Sequence, residues 1–420
     1  MKKRYHAIFR TLFLMACAAL PFINLFPLST YLFIALGLGL FCTGHGSFDF
    51  NKKEGLPWLF LAFYTLQIVG FIAHPKETAN LFSLEQKAAL LFIPLLISSL
   101  HHYDERIGKD GIKAFIAGNL ALCLYCFFYA LYHYVQQPDT GYFFYHRYVS
   151  PIASSAIYVS LYIMVSLLYL LHFYTAEKWK LPFGMVLGSV LIFLASLFLL
   201  SSKMILVNGC FLMILFLITT TDKRLRWFIG AGLFIGIALT LFTANPIRTR
   251  FEEWDSEKYE EVLVRNDFTD YPFDDFDLRL LLARMGWELT NEHRAWLFGN
   301  GGRAYQQALN EKMLSYHLFS GNEITRDTGY LNCNMHNQYL ENFMQYGMIG
   351  FFILLSIFMC CVSAAIKSRS KILLYLSALF FFSFLSESVL ETQAGILLFT
   401  LIIYYGWKST KQLTSLPLNR

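Results

Sequence analysis

The chain has 420 residues, of which 56% are hydrophobic and 18% aromatic, while only 15% are charged. Soluble globular chains run at roughly 45–50% apolar and about 25% charged, so composition excludes a string of soluble domains, and one membrane domain is the economical reading. The formal net charge of +5 lies in short basic clusters between apolar runs, the pattern of a membrane protein's cytoplasmic connections, and it gives no ground for a nucleic-acid partner.

The chain begins Met1-Lys2-Lys3-Arg4 and continues in an apolar stretch from Ala7 to Phe26, which resembles a secretory signal. Its small-x-small triplet, Ala16-Cys17-Ala18, falls inside the apolar run, and another run follows at once, so the segment is expected to remain as a first span. With about 20 apolar residues per crossing, spans are expected near 7–26, 30–46, 57–74, 86–100, 113–135, 154–173, 182–201, 203–220, 227–243, 347–366, 371–386 and 391–407. The stretch from Phe183 to Ile218 is too long for one crossing. It is expected to fold as a hairpin at Ser201-Ser202-Lys203, where its only charge lies. The expected fold class is therefore all-α, a polytopic membrane protein of about twelve spans. Its parts are a bundle at 1–243, a large outer loop at 244–346 and a C-terminal group of spans with a tail at 347–420.

The basic clusters Lys2-Lys3-Arg4, Lys52-Lys53, Arg106/Lys109/Lys113, Lys178/Lys180, Lys223-Arg224/Arg226, Lys367/Arg369/Lys371 and Lys408/Lys411 fall in alternate connections. With twelve spans they share one side, which puts both termini in the cytoplasm. The segment Gln136–Pro151, the turn at Lys203, the acidic turn Glu387–Glu391 and the long loop then share the other face. No internal repeat is evident, which weighs against an inverted-repeat transporter.

Within the loop, Arg248 to Asp255 is charged, and Tyr271-Pro272-Phe273-Asp274-Asp275 breaks any helix. Asp277 is expected to cap a helix from Leu278 to Glu292, with Leu280, Leu281, Trp287 and Leu289 as its apolar face. Gly299-Asn300-Gly301-Gly302 reads as a turn and Arg303 to Tyr316 as another amphipathic helix. Helices of this kind rest on a bilayer surface and roof a membrane-facing cleft. Seven of the eight cysteines sit in apolar runs, where Cys behaves as a small hydrophobe. That includes Cys123 and Cys126, whose CxxC spacing within a span reads as packing ahead of redox or metal chemistry. Cys333 alone lies in the loop, so no disulfide framework is expected there.

The sharpest local pattern closes the loop: His336-Asn337, nine residues, then Gly347-Met348-Ile349-Gly350. Here the sequence resembles the O-antigen ligase and polymerase family of bacterial envelope glycosyltransferases, whose pattern is His, then Asn, Ser or Gln, nine residues, and Gly-x-x-Gly. The resemblance runs from about Phe198 to Phe399. It takes in Arg279, followed some twenty residues on by Gly299-Asn300-Gly301, and a Glu-rich turn from Glu387 through Glu391 to Gly395. Lys203 stands where the family usually carries Arg; Lys keeps the charge but loses the planar fork.

The resemblance implies a fold like that of the C-class glycosyltransferases. The implied reaction moves a glycan from undecaprenyl diphosphate to an acceptor hydroxyl, the lipid A–core or another glycan, at the periplasmic face of the bacterial inner membrane. No metal and no cofactor is implied; the partners are the lipid-linked donor, the acceptor and membrane lipids. A polyprenyl tail requires a site at the membrane boundary, and a leaving diphosphate requires preorganised cations. An acceptor hydroxyl requires a base or orienting group, and His titrates near neutral pH. Arg279 and Lys203 are accordingly candidates for the cations and His336 for the base, with Asn337, Arg284, Arg147, Glu387 and Glu391 as substrate-binding candidates. Each has a structural alternative. His336 caps the next helix, Lys203 snorkels at its turn, Arg279 pairs with Asp277, Glu387 and Glu391 line a wetted turn, and Arg147 belongs to an interfacial aromatic belt. The competing functions are a polymerase or a protein O-oligosaccharyltransferase of the same family, and a transporter. A transporter would carry ionisable groups at mid-membrane depth, whereas here they gather at the outer boundary.

Overall fold

The computed structural model describes residues 2–44, 54–74, 78–177, 179–220, 222–243, 248, 256–321 and 329–415. Lys52-Lys53, Lys178 and most of the segment from Arg248 to Asp255 lie outside the described residues. Those described form helices and turns, with no strand among them. The first group of helices is α1 (Lys2–Ala19), α2 (Leu28–Cys42), α3 (Gly55–Ala73), α4 (Thr78–Lys87), α5 (Ala89–Tyr103), α6 (Glu105–Gln136), α7 (Tyr145–Tyr148), α8 (Ala156–Thr175), α9 (Phe183–Leu200), α10 (Lys203–Thr219) and α11 (Lys223–Phe242). The loop supplies α12 (Ser256–Val264), α13 (Asp275–Glu292) and α14 (Tyr305–Ser315), and the chain ends with α15 (Gln338–Ser368), α16 (Lys371–Ser383) and α17 (Gln393–Ser415).

A helix stands at each expected crossing. Seven are long and apolar enough to span a membrane, and α2, α10 and α16 are shorter apolar helices. The protein is an all-α polytopic membrane protein. Two expected boundaries move. α6 starts at Glu105, where the Asp104 side chain accepts a bond from the Arg106 N–H at 2.9 Å and so caps it. The expected span from 86 is divided at Ala88 between α4 and α5, whose windows together still cross.

The bundle forms around α8, which is apolar on every side and buried along nearly its whole length, as a helix surrounded by other helices must be. Several of its polar groups are partnered, although the buried Tyr169 hydroxyl is not. Ser166 accepts a bond from Asn119 of α6 at 2.9 Å, and Tyr162 donates to the Ala394 carbonyl at 3.2 Å. The α9–α10 hairpin closes as the sequence suggests. Ser201 adopts a left-handed conformation (φ 51°) and its N–H turns back to the Leu197 and Phe198 carbonyls, after which α10 begins at Lys203.

The loop builds its own apolar core from Val262, Phe268, Leu281, Leu282, Met285, Leu289, Leu309 and Met313, joined by Met335 and Met344 from the approach to and first turns of α15. Each such side chain stabilises by about 1.5–3 kcal/mol when fully buried. Helix α13 begins three residues earlier than expected because Asp274, not Asp277, caps it, accepting bonds from the N–H groups of Phe276 (2.7 Å) and Asp277 (2.9 Å). Asp277 is instead buried with neither carboxylate oxygen hydrogen-bonded, its nearest cation Lys258 at 3.9 Å.

Loop and bundle meet at a break in α15. Gly347 has φ 61° and ψ −154°, so the helix is two rods, 338–346 and 348–368. The second rod, at 1.5 Å per residue, is roughly 30 Å long, the thickness of a bilayer core. Breaking the ladder strands backbone groups on either side of Gly347, and the loop segment after α13 takes them up. The Met348 N–H donates to the Trp296 carbonyl (2.9 Å), the Ile349 N–H to the Leu297 carbonyl (3.4 Å), and the Asn300 N–H to the Met344 carbonyl (2.9 Å). Gly299 (φ 68°) and Gly347 lie backbone against backbone; a Cβ on Gly299 would sit 2.4 Å from the Tyr346 nitrogen, and one on Gly347 2.5 Å from the Leu297 carbonyl. The motif glycine at 347 thus serves a docking joint.

Candidate functional site at the start of α15

The short rod 338–346 is wedged between the loop core and the bundle, and His336 stands just before it. His336 itself is left-handed (φ 45°), uncommon for a residue with a Cβ. The turn is held from several sides. The His336 N–H donates to the Asn334 side chain at 2.9 Å, and Asn337 caps the helix by accepting from the N–H groups of Tyr339 (3.0 Å) and Leu340 (3.1 Å). Asn337 also donates to the Leu385 carbonyl at 3.0 Å, and the Gln338 N–H donates to Phe384 at 2.8 Å. The helix cap is therefore Asn337, and the His336 side chain is left for other work.

These bonds bring the turn after α16 against His336. Glu387, 8% exposed, places Oε1 3.6 Å from His336 Nδ1, an ion-pair separation without a hydrogen bond. Burial, the largest influence, holds the imidazole down, and the nearby Arg279 guanidinium adds to that effect. The Cys333 sulfur and the Glu387 carboxylate outweigh both and raise His336 to about 9. At neutral pH the ring is an imidazolium beside a carboxylate. Arg279 comes from the first turns of α13; its Nε–H is buried and has no hydrogen-bond partner. A buried guanidinium donor left unpaired costs about 1–3 kcal/mol, which an incoming anion would recover.

Lys203 is half-buried at the first residue of α10. Helices α10 and α16 run antiparallel: Asn208 donates to the Leu379 carbonyl at 2.9 Å, and Thr219 meets Tyr375 at 2.6 Å near the other end. Five residues back from Asn208 and five on from Leu379, Lys203 stands at the level of Phe384, directly before the Glu387 turn. His336, Glu387 and Arg279 are thus gathered together, with Lys203 at the same end of the bundle.

The remaining candidates are occupied elsewhere. Arg284 donates to Glu288 (2.8 Å), the Val262 carbonyl (3.0 Å), the Arg265 carbonyl (2.5 Å), Asn266 (2.6 Å) and Tyr316 (3.3 Å). All five guanidinium N–H groups are spent tying the loop together, and none is left for substrate. Arg147 pairs with Asp139 at 2.7 Å and lies 4.1 Å over the Tyr142 ring, a local, half-exposed arrangement. Glu391, expected to face substrate, is buried, with its oxygens taken by Lys87, Arg303 and Gln345. Lys87, Arg303 and Glu341, all in that buried cluster, went unread in the sequence. Lys87 alone carried a signal, as a charge at the edge of an apolar run.

Among the described residues, no group of three His, Cys, Asp or Glu side chains is arranged to hold a metal ion. What the arrangement offers is an oriented imidazole, a carboxylate behind it and a guanidinium with a free donor, where a spanning helix begins.

No curated protein matches the chain. Residues 187–355 match the family model described as O-antigen ligase, a stretch that runs from α9 through the loop and into α15. It contains Lys203, Arg279, His336 and both glycines of the Gly347-x-x-Gly350 motif, and over this stretch the match supports the O-antigen ligase family.

Proposed function

We propose that the protein transfers a glycan from a polyprenyl-diphosphate carrier to the lipid A–core on the periplasmic face of the inner membrane. The observation that carries the proposal is the unpartnered Arg279 N–H beside the His336–Glu387 pair, at the N-terminal end of α15. The alternation of basic clusters supports the orientation. In the reaction the acceptor oxygen bonds to the anomeric carbon as the carbon–oxygen bond to the diphosphate breaks. Arg279 and Lys203 stabilise the charge gathering on the departing diphosphate. The acceptor's proton passes to His336, whose imidazolium is stabilised by Glu387 as it forms. The tail of the carrier stays in lipid throughout, so no lipid need leave the bilayer.

Activity then has a defined pH dependence. A base must be unprotonated, and with His336 raised to about 9 the transfer rate climbs about tenfold per pH unit and levels off near 9. Glu387→Gln removes the attraction that raises the ring, so its plateau begins at lower pH. Rates measured on purified protein in detergent from pH 6 to 10 check both curves. A flat wild-type profile, or one falling with pH, would exclude His336 as the base.

The acceptor is decided by a gene deletion read on a lipopolysaccharide gel. Loss of a ligase leaves bare lipid A–core, with polymerised glycan accumulating on the carrier. Core bearing a single repeat unit would identify a polymerase, and an unchanged ladder with unglycosylated proteins would identify a protein O-oligosaccharyltransferase.

A further inference from the structure

Both halves of the His336–Glu387 pair are anchored in one buried polar cluster. Its centre is Glu391, four residues beyond Glu387. Glu391 Oε1 accepts from Lys87 Nζ at 2.7 Å and from Gln345 at 3.1 Å, while Oε2 accepts from Arg303 Nε at 3.0 Å and Nη2 at 2.8 Å. Lys87 also donates to the Gln345 side-chain oxygen at 3.0 Å. Gln345 in turn donates to Glu341 Oε1 at 2.8 Å, which the Tyr305 hydroxyl also meets. Glu341 Oε2 accepts from the Met335 N–H at 2.9 Å, in the residue before His336. One path of hydrogen bonds therefore runs from the Glu387 turn, through Glu391, Gln345 and Glu341, to the backbone that aims His336.

Lys87 is the member contributed by the N-terminal bundle. Its side chain is 0% exposed and that of Glu391 1%. Against burial, Lys87 and Arg303 hold the Glu391 carboxylate ionised, while burial and the Glu391 charge raise the neighbouring Glu341 carboxyl, and removing Lys87 would leave Glu391 less well matched. The left-handed His336 is the strained residue that such surroundings hold in place. Glu387 faces His336 from the turn after α16, Arg279 from α13 and Cys333 from the loop. Tyr158 of α8 holds the same turn through the Ser388 carbonyl at 3.4 Å.

We propose that Lys87 is a positioning residue for the reaction: through Glu391 and Glu341 it fixes the separation and aim of His336 and Glu387. The proposal rests on the glycan-transfer reading for its kinetic consequence but not for its structural one.

The test is Lys87→Met in the full-length protein in detergent, with two readouts. Misplacing a reacting group by about 1 Å costs about 10²-fold, so kcat is expected to fall by about that factor with KM for the lipid-linked donor little changed. Second, modification of His336 by diethyl pyrocarbonate, followed by mass spectrometry across pH, reports the titration of the ring with no substrate present. The wild-type midpoint near 9 should move down as Glu387 drifts away. If Lys87 acted only as a distant positive charge, its removal would move the midpoint up. An unchanged or raised midpoint overturns the proposal. Where Lys87→Met does not give folded protein, Lys87→Leu, which likewise removes both the donor and the charge, is read the same way. A lowered midpoint in a protein whose wild type transfers no glycan would refute the functional reading and leave the positioning role in place.

Discussion

Replacing His336 with asparagine is expected to lower glycan transfer by about 10²–10⁴-fold, the usual contribution of a positioned general base, while the protein stays folded and melts somewhat below the wild type at neutral pH, where the imidazolium paired with Glu387 is stabilising. Asparagine is the informative choice because His336 is left-handed (φ 45°), a conformation that Asn tolerates better than most residues. The helix cap belongs to Asn337, and the turn is held by the Asn334 side chain and the Leu385 and Phe384 carbonyls, none of which involves the imidazole. Loss of the ring therefore removes the pair with Glu387 but leaves the hydrogen bonds that hold the turn. Transfer by purified protein, beside a thermal melt in the same detergent, measures activity and folding. A folded variant with near-normal turnover would remove His336 from the mechanism.

The second large effect concerns stability. Gly347→Ala is expected to destabilise the protein by about 3–5 kcal/mol, the sum of a backbone conformation nearly reserved for glycine and an overpacked contact. At φ 61° and ψ −154° an alanine is strained whatever surrounds it. Here its Cβ would also meet the Leu297 carbonyl carbon and oxygen at 2.5 Å and the Gly299 nitrogen at 2.6 Å, backbone atoms that cannot rotate away. The loop must lift from α15, exposing the Met348 and Ile349 N–H groups it had covered. Gly188→Ala is the matched control, a helical glycine with open space about its Cβ. Melting curves in detergent and proteolysis of the 256–321 segment should show the first variant opened and the control unchanged. Equal melts for the two would mean that the joint does not hold the loop.

Much of this was legible in the chain, and what escaped did so for identifiable reasons. Helices of apolar residues announce themselves by length, and the hairpin at Ser201-Ser202-Lys203 follows from a single charge in a stretch too long for one crossing. The short rod 338–346 was read as the end of the loop because Gln338, Glu341, Asn342 and Gln345 make it polar. Those residues are buried, and for Gln338, Glu341 and Gln345 partners from elsewhere in the chain permit it. Lys87 and Glu391 lie 304 positions apart, and no local spacing relates them. Arg284 and Arg279 stand five apart on one helix and look alike in sequence. Their difference is tertiary: one finds loop acceptors for all its donors, and the other keeps a buried N–H unpaired. The surroundings of Glu391 are hidden for the converse reason, since an acidic turn between apolar helices gives no hint that two cations converge on it.

The shared backbone bonds at Gly347 also constrain how the protein is made. The partners of the Met348 and Ile349 N–H groups, the Trp296 and Leu297 carbonyls, precede them by about fifty residues of chain. A helix entering lipid with unmatched amides is disfavoured, since the bilayer offers no substitute acceptor. During synthesis, α15 reaches its final seating only after the loop has folded about its own core and brought up the 296–300 strip. Membrane insertion of the last three helices and maturation of the loop are consequently one cooperative event. A lesion in the loop core would surface as a late assembly defect of the C-terminal spans.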